Sequence, residues 1–383
     1  MPVYLDNAAT SWPKPPAVAE AMLHFLQKIG ASPGRSAHRL SIEAGRVVEE
    51  TREGLAQFFG APDPSRIVFA SNATQAINLA LRGLLRPGTE VVTSSMEHNS
   101  VMRPLRALER EGVRVRVVTA DSRGHLDPVA MEEAIRPATS LIVLNQASNV
   151  SGTLLPVAEV GRIARRHGLL LLVDSATTAG AYPIDIERDC IDLLAFTGHK
   201  SLYGPTGTGG LVIGDRVDTA ALDPLVRGGT GSRSESEDQP TFLPDAYESG
   251  TPNTTGIAGL GAAVRWLQST GVPEIRRRQI AQLQQLETGL RAIPGVTVYG
   301  PADARQRMAP LSFNIQGLSP SDAGLRLDEE HGILCRVGLH CAPAAHRTLG
   351  TSPDGTVRFA PGAYTTPADL DQAIDAVATL AAE

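Results

Sequence analysis

Lysine is nearly missing from this chain: three occur, at positions 14, 28 and 200, against 32 arginines. Arginine therefore carries almost every solvated positive charge, and each remaining lysine asks for a reason. Cysteine is equally scarce. Cys190, Cys335 and Cys341 cannot all pair, and their spacing fits neither a disulfide framework nor a four-ligand zinc site. No apolar run approaches the roughly 20 residues that a membrane-spanning helix needs; the longest lies around residues 169–173. The first residues pass through Asp6 and Asn7 into a proline-rich stretch, without the charged start and apolar middle of a signal peptide. A soluble cytoplasmic protein with at least one free thiol and no membrane partner is expected. The net charge of −6 gives no attraction for nucleic acid either.

What is present has the balance of a globular protein, with 42% hydrophobic and 20% charged residues in a chain of 383. At roughly 150 residues per domain, two domains are expected. Short apolar runs at 67–70, 90–94, 114–119, 141–145, 169–174, 193–196 and 210–213 alternate with amphipathic stretches bounded by turn residues. This is the pattern of an α/β fold with a mainly parallel seven-stranded sheet flanked by helices. The Gly- and Ser-rich stretch 228–250 predicts a long surface loop, and 255–270 and 274–292 predict helices leading into a smaller α+β region. The large domain is expected over 15–264, and the small one over 1–14 and 265–383.

Ligands of such sheets gather at the carboxyl ends of the strands, where several chemistry-bearing residues fall. Lys200 follows the strand 193–196 and precedes a Gly-rich run. An amine there can lose water, fall in pKa and form a Schiff base with an aldehyde; an ordinary strand-end lysine is the alternative. Lys14 lies among prolines and reads as an exposed loop residue, and Lys28 as the polar face of a helix. Asp174 ends the most apolar strand, where a carboxylate wants a cation such as a pyridinium nitrogen, or else serves as a cap or structural ion pair. The segment Ser71-Asn72-Ala73-Thr74 offers backbone donors at a helix start for a phosphate, or simple N-capping. His98, past the strand 90–94, stands where an imidazole can stack on a flat cofactor, or else is a loop histidine with no catalytic part.

These segments, taken in order, resemble the class V aminotransferase branch of the fold-type I pyridoxal-phosphate enzymes, and within it the cysteine desulfurases. The similarity spans Tyr4 to Ala9, Met96 to Asn99, Ser148-Asn149-Val150, Val173 to Ala176, Gly198-His199-Lys200, Gly250 to Asn253, Arg336 to Cys341, and Val357-Arg358-Phe359. It implies pyridoxal 5'-phosphate as cofactor, with Lys200 as the Schiff-base lysine, Asp174 on the pyridine nitrogen and His98 over the ring. Thr74, Thr197 and His199 are implied to hold the phosphate, helped by Thr251 from the neighbouring subunit of a homodimer. Asn149 and Arg358 are implied to grip the substrate carboxylate. Cys341, in a Gly- and Pro-bounded loop expected to be flexible, is implied to take sulfur from L-cysteine as a persulfide and pass it to an acceptor protein. Arg336, His340 and His346 are the local candidates to favour its thiolate. Cys190 and Cys335 read as small buried hydrophobes. Two positions depart from the family pattern: Thr177 replaces a usual glutamine near the cofactor's phenolic oxygen, and Ala73 a frequent threonine, so cofactor contacts are fewer.

Three rivals remain. A selenocysteine lyase or another C–S lyase would act on L-selenocysteine or a related substrate with the same cofactor. A metal site on His340, Cys341 and His346 lacks a fourth ligand, so no metal is expected. A nicotinamide oxidoreductase lacks the Gly-x-Gly-x-x-Gly turn.

Overall fold

The computed structural model describes residues 2–34 and 36–383. The chain opens with β1 (Val3–Tyr4), α1 (Pro16–His24), extended by a π-helical turn at Phe25–Ile29, and α2 (Arg39–Phe59). Strands and helices then alternate through β2 (Ile67–Ala70), α3 (Ala73–Leu84), β3 (Glu90–Ser94), α4 (Asn99–Arg110), β4 (Arg114–Val118), α5 (Pro128–Glu133), β5 (Thr139–Asn145), α6 (Val157–Arg166) and β6 (Leu170–Asp174). Next come β7 (Leu193–Thr197), β8 (Gly209–Ile213), α7 (Thr254–Thr270), α8 (Val272–Arg291), β9 (Val296–Val298) and β10 (Leu311–Ile315). The chain closes with α9 (Pro320–His331), β11 (Ile333–Leu334), β12 (Arg336–Gly338), α10 (Pro343–Thr348), β13 (Thr356–Phe359) and α11 (Pro367–Ala381).

The seven strands expected from sequence form one sheet in the order β2-β8-β7-β6-β5-β3-β4. Only β8 runs against its neighbours. Alternate residues of each central strand enter different apolar clusters: Ile142, Leu144, Leu171, Val173 and Phe196 pack in one, Leu141, Val143, Leu172 and Ala195 in the other. Burial on both faces explains why these strands read as unbroken apolar runs rather than alternating ones. Because β4 lies outside β3 while β5 lies on its other side, the connections diverge between β3 and β5. The carboxyl ends there open into the crevice where open α/β sheets take ligands.

A second, antiparallel sheet has the order β12-β13-β10-β9. Its apolar cluster joins Phe313 and Phe359 to Leu283 and Leu286 of α8 and Leu370 and Val377 of α11. Val3 and Leu5 belong to this cluster as well, since β1 pairs in parallel with β11. The first residues therefore reach the site from the side of the second sheet. None of the described helices is long and apolar enough to cross a membrane.

The turn after β6 is shaped by Gly180, whose φ of +98° is left-handed and whose missing Cβ leaves room for the Ser201 carbonyl beside Lys200. Replacing it with Ala imposes both strain and a backbone clash. Gly180→Ala should cost about 1–3 kcal/mol, read as a lower denaturant midpoint with an unchanged slope. An unchanged midpoint would remove Gly180 from the support of the site.

Candidate active site

Five carboxyl ends of the large sheet converge on a cavity of about 330 Å³, a size suited to a small organic cofactor. The wall receives Asn72 to Thr74 from the start of α3, His98 and Ser100 beyond β3, and Asn145, Ala147 and Asn149 from β5 and its following loop. Asp174, Ala176 and Thr177 come from the end of β6 and the turn after it, and Thr197, His199 and Lys200 from the end of β7 and the loop after it. Ala8 and Ala9 of the N-terminal segment, with Arg336, His340 and Arg358, close the other side. Every sequence-predicted site residue except Cys341, His346 and Thr251 thus lines one space.

Lys200 is the centre of the charge pattern. Loss of water pushes its amine down to about 8, against the pull of the Asp174 carboxylate, while Arg358 and Arg336 push further in the same direction as burial. Asp174 is 5% exposed. Its carboxyl is raised by burial and held back by the Ala176 amide, Lys200 and Ser100. Burial also lowers His98, with help from Lys200, Arg336, Arg358 and Arg103, to about 3, so its imidazole is neutral at physiological pH. The ring caps α4, its Nδ1 accepting the Ser100 amide at 3.0 Å. Nδ1 as acceptor leaves the ring proton on Nε2.

Beside the amine, one carbonyl gathers four donors. His199 O accepts the Ser11 amide at 2.9 Å, Thr10 Oγ1 at 3.1 Å, Ser11 Oγ at 3.2 Å and Lys14 Nζ at 3.2 Å. Lys14 is therefore no exposed loop residue. It turns inward because the prolines around it bend the segment across β7, and burial lowers its amine to about 8.

Arg358, on β13, is 1% exposed. Its Nη1 donates to the Asn149 carbonyl at 3.0 Å and its Nη2 to Asp6 Oδ1 at 2.9 Å. Among the described residues, the guanidinium so held keeps an Nε without partner, and Asn149 an unpartnered Oδ1, because Asn149 Nδ2 is turned to the His340 carbonyl at 2.6 Å.

Cys341 is exposed, and its Sγ lies 3.4 Å from Arg336 Nη2. The loop bearing it differs from the flexible one expected. Only four residues separate β12 from α10, His340 is 2% exposed with Nε2 3.0 Å from Thr356 Oγ1, and the Cys341 carbonyl accepts the Asn99 amide at 2.8 Å. His340 and Cys341 both take left-handed φ, 47° and 59°. His346 is buried against Thr351 at 2.7 Å and faces His340 at 5.5 Å between ring centroids. Cys190 is buried as expected, whereas Cys335 is only partly so.

The sequence-predicted departures have structural counterparts. Thr177 lies at the wall but donates its hydroxyl to the Ala147 carbonyl at 3.1 Å. Ala73 contributes no side-chain donor, leaving the backbone amides of the α3 start, of which Asn72 Oδ1 accepts that of Gln75 at 3.0 Å. Thr251 is exposed and lines a separate cavity with Arg52, Glu248 and Gly250, so within its own chain it does not meet Lys200. Sequence reasoning missed Ser100, Asn145 and the roles of Asp6 and Lys14; apart from the scarcity of lysine, nothing local marks them.

The sequence profile of the aminotransferase class-V family matches residues 3–373, and the chain belongs to that family. The resemblance read from its motifs is borne out. A probable cysteine desulfurase from Methanothermobacter thermautotrophicus is 37% identical over 372 residues, covering 96% of this chain and 92% of the relative. A probable cysteine desulfurase from Streptomyces coelicolor is 34% identical over 384 residues, covering 97% and 90%. The apo cysteine desulfurase of Thermococcus onnurineus NA1 superposes with a TM-score of 0.93 at 33% identity, covering all of this chain and 95% of its own.

Enzymes of this family use pyridoxal phosphate, and the donor set of the cavity fits it. The Thr197 hydroxyl and His199 Nδ1 are buried without partners among the described residues, near the amides that open α3, while the Asp174 carboxylate and the desolvated Lys200 amine stand apart from them. An anion, a ring cation and an aldehyde each meet a complementary group.

Lowered to about 8, the Lys200 amine becomes neutral, and so nucleophilic, well below the 10.5 of a free lysine. In the cofactor-free protein, trapping of a small aldehyde on Lys200 by cyanoborohydride should rise with pH through about 8. A yield that rises only near 10.5 would contradict the desolvated amine.

Proposed function

We propose that the chain is a pyridoxal-phosphate-dependent cysteine desulfurase that converts L-cysteine to L-alanine and leaves the sulfur as a persulfide on Cys341. The observation that carries this reading is an exposed thiol beside Arg336, on a loop whose neighbouring residues line the Lys200 cavity. Thr74 with the α3 amides, Thr197 and His199 are the groups suited to the phosphate, joined by Thr251 of a second subunit. Asp174 suits the pyridine nitrogen, His98 the ring face and Lys200 the aldehyde. When bound there, the cofactor supplies an electron sink that loosens bonds at the substrate's α-carbon.

The protein's own groups do the remainder. Arg358 offers its free Nε–H and second Nη hydrogens to the substrate carboxylate, with the second Nδ2 hydrogen of Asn149 alongside. Lys200, as a neutral amine, and His98, through Nε2, exchange protons within the cavity. Arg336 stabilises the Cys341 thiolate. Its sulfur bonds to the substrate sulfur as the C–S bond breaks, and the electron pair stays on the carbon, which takes a proton and becomes the methyl of alanine. The persulfide, exposed at the surface, passes to a sulfur-acceptor protein. Three unpaired cysteines suit the reducing cytoplasm.

Mass spectrometry after incubation with L-cysteine should find one added sulfur on the Cys341 peptide, with alanine as product, and Cys341→Ser should lose alanine formation. Pyruvate as the main product, with Cys341→Ser fully active, would favour a C–S lyase acting on cysteine or selenocysteine. Sharing of Thr251 requires two subunits, so sedimentation at low concentration should find a homodimer. An active, cofactor-loaded monomer would contradict that assembly.

A further inference from the structure

Ser100 has no part in the reaction set out above, yet it stands between two groups that do. It occupies the first turn of α4, is 6% exposed and lines the cavity. Its Oγ is 2.9 Å from His98 Nδ1 and 3.2 Å from Asp174 Oδ2. The other Asp174 oxygen, Oδ1, accepts the Ala176 amide at 2.9 Å. Ser100 is thus the one side chain that hydrogen-bonds to this carboxylate among the described residues, and it reaches the imidazole at the same time.

A hydroxyl has one proton, and here it faces two acceptors. Bonds to a charged acceptor are the stronger ones, so an ionised Asp174 draws the proton to Oδ2. A cation paired with Asp174, or protonation of its carboxyl, weakens that pull. The C–O bond then rotates and the same proton turns to Nδ1, where the Ser100 amide already donates. No covalent bond changes, and the imidazole stays neutral with its proton on Nε2.

We propose that Ser100 is a positioning residue that couples the charge on Asp174 to the imidazole of His98, its hydroxyl hydrogen bond moving from the carboxylate to Nδ1 when the carboxylate is neutralised. This rests on the proposed function only in taking the pyridine nitrogen as the natural neutralising group. In the catalytic cycle, the coupling would set the donor strength of His98 Nε2 according to whether Asp174 is paired.

The groups facing His98 are Lys200 beyond β7, Arg336 on β12, Arg358 on β13 and Arg103 on its own helix. Those around Asp174 are Lys200 and Glu97, the latter a buried carboxyl raised by burial to about 8 and so already protonated at neutral pH. His199, on the loop after β7, is lowered to about 4. Asp174, raised above its ordinary value, takes its proton before His98, lowered to about 3, takes its own. An acid titration therefore neutralises the carboxylate while the ring remains neutral.

The test uses the full chain with Ser100→Ala and Ser100→Thr, the second keeping the hydroxyl. In the cofactor-free protein, acidification through the Asp174 transition should move the His98 Nδ1 nitrogen-15 signal further in the direction of stronger hydrogen bonding in wild type and Ser100→Thr, and leave it fixed in Ser100→Ala, where the backbone amide alone donates. Adding pyridoxal phosphate should produce the same contrast at neutral pH. In the cofactor-loaded enzyme, Ser100→Ala should lower kcat about tenfold with KM unchanged, and Ser100→Thr should restore it. An identical nitrogen-15 response in wild type and Ser100→Ala overturns the coupling whatever the enzyme's activity. A wild-type protein that binds no pyridoxal phosphate but shows the acid response overturns the proposed cofactor and leaves the coupling standing.

Discussion

An amine held out of water beside a buried carboxylate, Lys200 against Asp174, sets the terms for everything around it. Burial alone favours the neutral form of both. Neither group is free to follow burial alone, because each stabilises the charge of the other. Burial holds Lys200 below the ordinary lysine range and keeps His98 neutral, and Arg336 and Arg358 add positive potential in the same direction. The sheet makes this arrangement rigid. β6 and β7 are buried on both faces, and the register that sets Asp174 opposite Ala195 fixes how far Lys200 extends beyond the carboxylate.

The N-terminal segment supports that centre from two directions. Four donors converge on the His199 carbonyl, the peptide group that leads into Lys200. A few residues earlier, Asp6 fixes the Arg358 guanidinium, whose opposite nitrogen holds the Asn149 backbone. Asn149 in turn reaches the His340 carbonyl, one residue from Cys341. A continuous polar path thus runs from Asp6 through Arg358 and Asn149 to the thiol-bearing loop. A buried Arg of this kind without a carboxylate partner would be costly, which accounts for an Asp at position 6.

The sheet was legible in the sequence because double burial leaves an unbroken apolar run, and each run ended within a residue or two of its strand. Lys200 and Asp174 were legible for the same reason: a charged residue that ends such a run stands at the sheet's edge. The N-terminal clamp was not. Prolines around Lys14 carry the signal of an exposed turn, and only the fold reveals that the turn lies across β7. The anchoring of the Cys341 loop was equally hidden, since its contacts come from Asn99 and Thr356, far from one another in sequence. Ser100 gives no local sign at all. A serine in the first turn of a helix is common, and its meaning depends on an aspartate 74 positions away. Thr251 marks a further limit, because within its own chain it lines a cavity apart from Lys200.

The pairing of Asp6 with Arg358 spans 352 positions, and this separation fixes an order of events during synthesis. At about 5–20 residues per second, the ribosome adds the arginine roughly 20–70 s after the aspartate. By then the large sheet, with Lys200 and Asp174 in place, has long since emerged. A nascent chain accordingly acquires Lys200 and Asp174 well before Arg336, His340 and Arg358, which close the other side of the cavity, and before Cys341 beside them. Translation itself separates the two halves of the site, because a chain stopped short of position 358 lacks the arginine that holds Asp6.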